Sequence, residues 1–315
     1  MSCAAISKEL MARGLEASER TVRGYLSELR ERGQTESLGR RGHRLTEAGL
    51  EELQAATALE RVGILSAKID EMTYRMSFDL ASRCGTVVIN TSIVKVADLL
   101  RCADDICQVF EKGYAMGHLM ALVEEGSAVG QMTIPLGYVG FCTVCSITVN
   151  GVLLKNQIPT RSKFGGVLDV VNGKATRFVE LIAYDGTSID PLEVFIRSGM
   201  TNYLGAIREG VGRIGASFRE IPAESRQRVL ALADKLEQIG LGAFMEVGHS
   251  GMPLYGIPVG NGHAGAVVVG GLNPISILEE QGIRVDSRAL SGLMEYSELF
   301  HYTEMKERLV QLGTR

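Results

Sequence analysis

The hydrophobic positions of the first fifty residues recur at helical spacing. Ala4 to Met11, behind Ser2 as a cap, predict a short helix, Gly14 and Leu15-Glu16-Ala17 a turn, and Ser18 opens a second helix. In that second helix Val22, Leu26 and Leu29 share one face at i, i+4, i+7, with Tyr25 on its flank, which makes this the buried side. At about 100° per residue, Arg20, Gly24 and Ser27 project the other way, flanked by Arg23 and Arg30. The segment Gln34 to Leu38, the turn Gly39-Arg40-Arg41-Gly42 and the segment His43 to Thr46 predict a two-stranded wing with a basic tip. Thr46 caps a further short helix through Leu53. Together these elements predict a winged helix-turn-helix over residues 1–56, from which the first helix of the complete motif is missing.

Beyond residue 60 the pattern repeats. Met72-Thr73 recurs as Met200-Thr201 at an offset of 128, and Val87-Val88-Ile89 faces Ile214-Gly215-Ala216 at 127. At the same 127, the helix ending Cys102…Val109…Gly113 faces Val229…Leu236…Gly240. At 120, Val139-Gly140, Ile147, Val149 and Gly151 match Val259-Gly260, Val267, Val269 and Gly271. Such offsets describe a duplication, each copy reading as a strand, a helix, a variable loop and a fully apolar strand ending in a glycine turn. Between the copies, Val167 to Val171, the turn Asn172-Gly173 and Lys174 to Tyr184 predict a hairpin. The expected fold class is α/β, with a mixed α+β arrangement open. The expected organisation is a winged helix over 1–56, a larger domain over 61–300 with halves of about 61–155 and 196–290 around a hairpin segment of about 160–195, and a helical tail over 301–315.

Charge changes the picture for the first unit only. The chain of 315 residues carries a net −4, yet the stretch from Arg20 to Arg44 holds seven arginines against three glutamates. A local basic surface inside an acidic average is the footprint of phosphate contact. Ser18, Arg20, Thr21, Arg23, Ser27 and Arg30 on the helix, with Arg40, Arg41, His43 and Arg44 on the wing, form the candidate double-stranded DNA surface. Solvation of an exposed helix face is the plainer explanation of such charges, and the combination of helix, turn, helix and wing outweighs it. One winged helix reads a half-site, so a homodimer or higher homo-oligomer is expected. The longest apolar run, Val144 to Leu154, is too short and too polar to span a bilayer, and Lys8, Glu9 and Arg13 interrupt any signal peptide. The expectation is a cytoplasmic protein with no membrane partner and six reduced cysteines.

Candidate chemistry in the larger domain is sparse. The strand Ala264 to Val269 runs through Gly270-Gly271-Leu272 into Asn273-Pro274 and a helix over Ile275 to Glu280. A glycine turn before a helix N-terminus suits a carboxylate or phosphate, and it also serves as a plain connection. Arg161, with Lys163 and Gly165-Gly166 nearby, offers a two-pronged grip on a carboxylate or an ordinary surface loop. Cys142 and Cys145 point to opposite faces if they share a strand and are expected to be buried structural thiols. His249 and His263 lack companion ligands, so no metal site is expected, and no catalytic motif is legible.

Several longer motifs carry a resemblance: Thr143-Val144-Cys145-Ser146, Val149 to Leu154, Ser162-Lys163-Phe164-Gly165-Gly166, Tyr184-Asp185-Gly186-Thr187 through Asp190-Pro191-Leu192-Glu193-Val194-Phe195, and Gly270-Gly271-Leu272-Asn273-Pro274. Over roughly Arg61 to Phe300 the chain resembles the NrpR family, archaeal repressors of nitrogen-assimilation genes, which also carry a winged helix in front. The resemblance implies a non-enzymatic repressor that holds operator DNA and releases it when 2-oxoglutarate accumulates, the metabolite acting as an allosteric effector and not a cofactor. A dicarboxylate fits a helix N-terminus plus an arginine, which makes Arg161, Gly270, Gly271 and Asn273 the expected effector residues. An enzyme acting on a small carboxylate, with a fused winged helix, is the alternative, and a protein- or RNA-binding role for the winged helix is a third reading.

Overall fold

A computed structural model describes residues 1–12, 17–50, 52, 63–130, 132–242 and 244–313. The turn expected at Gly14 to Glu16, the helix end at Leu53, the domain starting point at Arg61 and the side chain of Arg40 lie outside the described residues. The chain forms two compact units, Met1–Val62 and Gly63–Arg315.

In the first unit, helices α1 (Cys3–Ala12) and α2 (Glu19–Glu31) are followed by a hairpin of β1 (Thr35–Ser37) and β2 (His43–Leu45), with a turn of 3-10 helix over Gly39–Arg41 at its tip. Ala17, Val22 and Leu26 make a small core against Cys3, Ile6 and Leu10. Ser18 caps α2, its Oγ accepting from the Thr21 N–H at 3.2 Å, which satisfies one of the orphan donors of the first turn. Backbone bonds in both directions tie residue 1 to the wing, Met1 N donating to His43 O and His43 N to Met1 O.

The second unit opens with α3 (Ile64–Arg75), three of whose apolar side chains, Leu65, Ile69 and Met72, are buried. Its first half runs β3 (Thr86–Val94), α4 (Val96–Glu111), β4 (Leu119–Val123), a small hairpin of β5 (Ala128–Val129) and β6 (Met132–Thr133), β7 (Val139–Val144), α5 (Ile147–Lys155) and β8 (Arg161–Val171). After β9 (Lys174–Ala183), α6 (Pro191–Arg197) and α7 (Tyr203–Arg208), the second half repeats the order. It runs β10 (Gly212–Pro222), α8 (Arg226–Gln238), β11 (Phe244–Val247), β12 (His263–Val269), α9 (Ser276–Glu280) and β13 (Asp286–Glu295). The chain closes with β14 (Phe300–His301) and α10 (Met305–Gly313). Asn172 and Gly173 both adopt positive φ between β8 and β9, as a tight hairpin turn requires.

Helices and strands alternate, giving the mixed α/β fold, but every described strand pair is antiparallel. The reason is a split β-α-β unit: β3 and β4, joined by α4, are both antiparallel to β7, which lies between them. In the second half β10, α8 and β11 are split by β12 in the same way.

The halves are interlocked. The two sheets have the orders β13-β3-β7-β4-β14 and β11-β12-β10-β8-β9. Thus β8, the last strand of the first half, pairs with β10 of the second, and β13, the last strand of the second, pairs with β3 of the first. Separating the halves would break both sheets, so a single hydrophobic core spans them.

Two sequence expectations change here. The apolar strand expected to run through Ile147 and Val149 to a glycine turn at Gly151 instead ends at Val144, and helix α5 begins at Ile147, with residues 147–153 buried all round. A helix without a solvent face shows no 3.6-residue polarity signal, and a short apolar run is then indistinguishable from a buried strand. The offset-120 correspondences change with it. Ile89 pairs with Val144 and Ala216 with Val269, so the strand-to-helix junctions correspond at an offset of 125. Hydrogen bonds confirm that register. Cys145 N donates to Val88 O at 2.8 Å as Gly270 N does to Gly215 O at 3.0 Å. Thr148 Oγ1 donates to Val88 O at 3.1 Å as Asn273 Nδ2 does to Gly215 O at 2.8 Å.

Candidate functional site

The DNA-reading candidates gather on one element pair. On α2, Ser18, Arg20, Thr21, Arg23 and Arg30 are exposed and Ser27 is half-buried, while Val22 and Leu26 are covered. Tyr25 stands out at 61% exposure, adding an aromatic surface beside the arginines. A Cβ placed on Gly24 would meet no atom within 4 Å, so this position offers a side-chain-free gap on the exposed face. On the wing, Arg41 is exposed, and Arg44 is exposed but tied across the hairpin to Glu36. His43 is half-buried with its Nδ1 unpartnered, and its backbone is held by Met1. Among the described residues Arg20, Arg23, Arg30 and Arg41 enter no ion pair, unlike Arg32, which is held by Glu28 at 2.6 Å. Guanidinium groups without an ion-pair partner among the described residues, at both ends of one helix face and on the wing tip, are suited to phosphate and base edges.

The effector candidates separate into two places. Asn273 is completely buried, and its Nδ2 donates to Tyr114 O at 2.7 Å and Gly215 O at 2.8 Å. It is a strut between elements and not a helix N-cap: residues Asn273–Ile275 form a 3-10 turn, Ser276–Glu280 a short helix, and neither shows a side-chain cap. Gly270 and Gly271 are packed as tightly, for a Cβ on Gly271 would clash with Asn90 Nδ2 and Val144 O. Gly271 borders a narrow gap shared with Ile69, Asn90, Cys145, Ser146 and Tyr184.

Arg161 lies instead at an open cleft of about 230 Å³ walled by Ser66, Ile69 and Asp70 of α3 and by Asn150, Ser162 and Tyr184. Ile69 and Tyr184 are common to this cleft and the Gly271 gap, so the two are neighbours. Three elements meet here: the start of β8, helix α5 and the helix that follows the winged unit in sequence.

Behind the cleft sits a residue that sequence reasoning missed. Arg219 of β10 is completely buried. Its Nε donates to Asn150 Oδ1 at 2.7 Å, its Nη1 to Ser217 Oγ at 2.7 Å, and its Nη2 to Ser146 O at 2.9 Å and Ser146 Oγ at 3.2 Å. Asn150 in turn donates to Ser162 Oγ at 2.9 Å on the cleft wall. Every acceptor is neutral, and among the described residues no carboxylate lies in ion-pair contact with the guanidinium. Burial lowers its pKa from the usual arginine value, although an arginine keeps its charge far above neutral pH. The legible signal was the charged pair Arg219-Glu220 between the apolar Phe218 and Ile221.

The surrounding groups are neutral or nearly so. Burial pushes the Tyr184 hydroxyl above its ordinary range, the Cys145 thiol up to about 12 and the Cys142 thiol up to about 11. Both cysteines are buried free thiols, Cys142 in β7 and Cys145 just beyond its end. Asp190, which caps α6 through the Leu192 N–H at 2.9 Å, is pushed up to about 7, first by burial and then by neighbouring Glu193.

Comparison with known proteins follows the same division. Residues 62–301 match the family described as NrpR regulatory domains NRD1 and 2, and residues 1–53 match the ribonuclease R winged-helix domain. The chain is 36% identical over 295 residues to the global nitrogen regulator NrpRI of Methanosarcina mazei, covering 94% of this chain and 91% of that one. It is 30% identical to the global nitrogen regulator NrpR of Methanococcus maripaludis over 93% of its length, which is 51% of that longer protein. A crystal structure of a nitrogen repressor-like protein from Methanococcus jannaschii superposes with a TM-score of 0.63 at 26% identity, over 75% of this chain and 97% of the other. These relatives are named as regulators and not as enzymes. Among the described residues no helix is long and apolar enough to cross a membrane. The chain belongs to the NrpR family of nitrogen regulators.

Proposed function

We propose that this chain is a repressor that holds operator DNA of nitrogen-assimilation genes through α2 and the wing and releases it when 2-oxoglutarate binds the larger unit. The observation that carries the DNA half is the unpaired arginine face, Arg20, Arg23 and Arg30 on α2 with Arg41 on the wing, set on a capped helix whose other face is buried. One such helix spans a half-site, so the acting species is a homodimer or a larger homo-oligomer on a two-fold operator. For release, the effector must bind the DNA-incompetent arrangement more tightly than the competent one. Of the expected effector residues, Arg161 borders the open cleft, whereas Gly270, Gly271 and Asn273 are tightly packed and do not line it.

A gel-shift titration on upstream DNA of nitrogen genes, with and without 2-oxoglutarate, tests this. The wild-type chain is expected to shift the DNA and to lose it as the metabolite rises. Replacing Arg20 and Arg23 by Ala should weaken binding by at least about tenfold and flatten its salt dependence by roughly two phosphate contacts. Unchanged affinity and salt slope would move the DNA surface off α2.

A further inference from the structure

We infer that the winged unit reads sequence at one spot: α2 makes its closest approach to DNA at Gly24, Arg20 one turn earlier recognises a guanine edge, and Arg23 and Arg30 grip phosphates without reading sequence. The inference rests on the repressor reading above and divides its arginine face into a reader and two holders.

Gly24 is a glycine that the protein itself does not use. It stands midway along α2 and is not among the glycines at positive φ. A Cβ there would meet no atom within 4 Å. Neither backbone geometry nor packing asks for glycine, yet a glycine inside a helix disfavours that helix roughly two- to fivefold relative to alanine. A residue that costs stability and relieves nothing within the chain serves a surface outside it, which the missing side chain lets come close.

Direction identifies that surface. At about 100° per residue, Gly24 points about 180° and Arg20 about 140° from the midpoint of the buried Val22 and Leu26. Arg23 and Arg30 lie about 80° and 60° from it, together on one flank. In a major groove the most outward line of a helix meets base edges, and its flanks meet the phosphate walls. The gap at Gly24 stays open. Helical side chains lean toward the N-terminus, so those leaning over it are Ser27, short and half-buried, and Glu28, which Arg32 holds at 2.6 Å one turn further along. Glu31, at the C-terminal end of the outward line, repels phosphates and favours approach by the N-terminal turns. Ser18 and Thr21 are committed to the cap, their hydroxyls 2.8 Å apart and Ser18 Oγ accepting from the Thr21 N–H. Arg20 is left as the exposed donor on the reading line, and its planar guanidinium matches the O6 and N7 acceptors of guanine.

Fluorescence anisotropy of the full chain on two duplexes, upstream DNA of nitrogen genes and a random-sequence pool of the same length, tests this. Charge-conserving variants separate reading from holding, because any cation in the groove displaces counterions and counts in the salt dependence. Arg20→Lys should lower the preference for upstream DNA over the pool about tenfold while keeping the salt slope. Selection from the pool should give the wild-type chain a guanine at one position per half-site that Arg20→Ala no longer requires. Arg23→Lys and Arg30→Lys should keep the preference, whereas Arg23→Ala and Arg30→Ala should weaken both duplexes alike and lower the salt slope by about one each. Gly24→Ala should slow amide hydrogen exchange along α2 roughly two- to fivefold and yet bind upstream DNA about fivefold more weakly, with Gly24→Gln weaker still. Wild-type DNA affinity in both Gly24 variants, an unchanged preference in Arg20→Lys, or its loss in Arg23→Lys would overturn the inference while leaving the winged unit as the DNA surface. A wild-type chain that binds neither duplex would remove the DNA-binding reading itself.

Discussion

The two halves of the larger unit share a framework and differ in what they do with it. In both, a strand ends, the next backbone N–H returns to the neighbouring strand, and a side chain three residues on bonds the same carbonyl, Thr148 in one half and Asn273 in the other. Around that common joint, the first half's helix N-terminus meets Arg219, Asn150 and Ser217, and the second half's meets Ser92, Ile275 and Asn90. A duplicated fold therefore keeps its backbone bookkeeping, because unpaired buried N–H and C=O groups are costly, while side chains facing a cleft are free to diverge.

The comparison is broken most severely at Gly271, the counterpart of Ser146. Ser146 is accommodated in its half and offers both its oxygens to Arg219, whereas any Cβ at Gly271 runs into Asn90 and Val144. Gly271→Ser should cost about 2–4 kcal/mol, seen as a fall in melting temperature of roughly 5–12 °C, while Ser146→Gly should be far milder. Equal effects would mean that the joints are not built as described.

A somewhat smaller effect is expected at Asn273. Asn273→Ala strips donors from the Tyr114 and Gly215 carbonyls and should cost about 2–3 kcal/mol in thermal or denaturant unfolding. Its 2-oxoglutarate affinity should stay at the wild-type value. A selective loss of effector binding with stability preserved would restore Asn273 as a ligand.

The smallest effect concerns charge on the Cys145 side of the joint. Asp190 has a folded pKa raised to about 7, so the folded state holds a proton that the unfolded chain has released, and stability falls as pH rises from about 4 through 7. Asp190→Asn keeps the cap oxygen without the charge. Its melting temperature should rise by roughly 2–6 °C at pH 8, by about half of that at pH 5.5 and by almost nothing near pH 4. A gain independent of pH would show that burial of the charge is not the cause.

Local elements with one wet face were legible from sequence. The α2 stripe of Val22 and Leu26, the arginines opposite it and the hairpin turn at Asn172-Gly173 follow from periodicity and turn chemistry over a few residues. Helix α5 was not, because Ile147 to Leu153 have no solvent face to reveal a period. The exchange of β8 and β13 was not either, since pairing of Gly215 with Val167 or of Gly292 with Ile89 is set by tertiary packing far along the chain. Arg161 drew attention because a cation near glycines is conspicuous in a sequence. Arg219 was hidden because its meaning lies in Asn150 and Ser146, about seventy residues earlier.

Fluorescence anisotropy of labelled operator DNA, held by the full chain and titrated with 2-oxoglutarate, tests the central claim most directly. The account predicts that the wild-type chain binds the DNA and releases it as 2-oxoglutarate rises, and that Arg161→Glu binds the same DNA but needs at least tenfold more 2-oxoglutarate to let go. DNA binding that 2-oxoglutarate does not alter, or release by Arg161→Glu at the wild-type concentration, would contradict it.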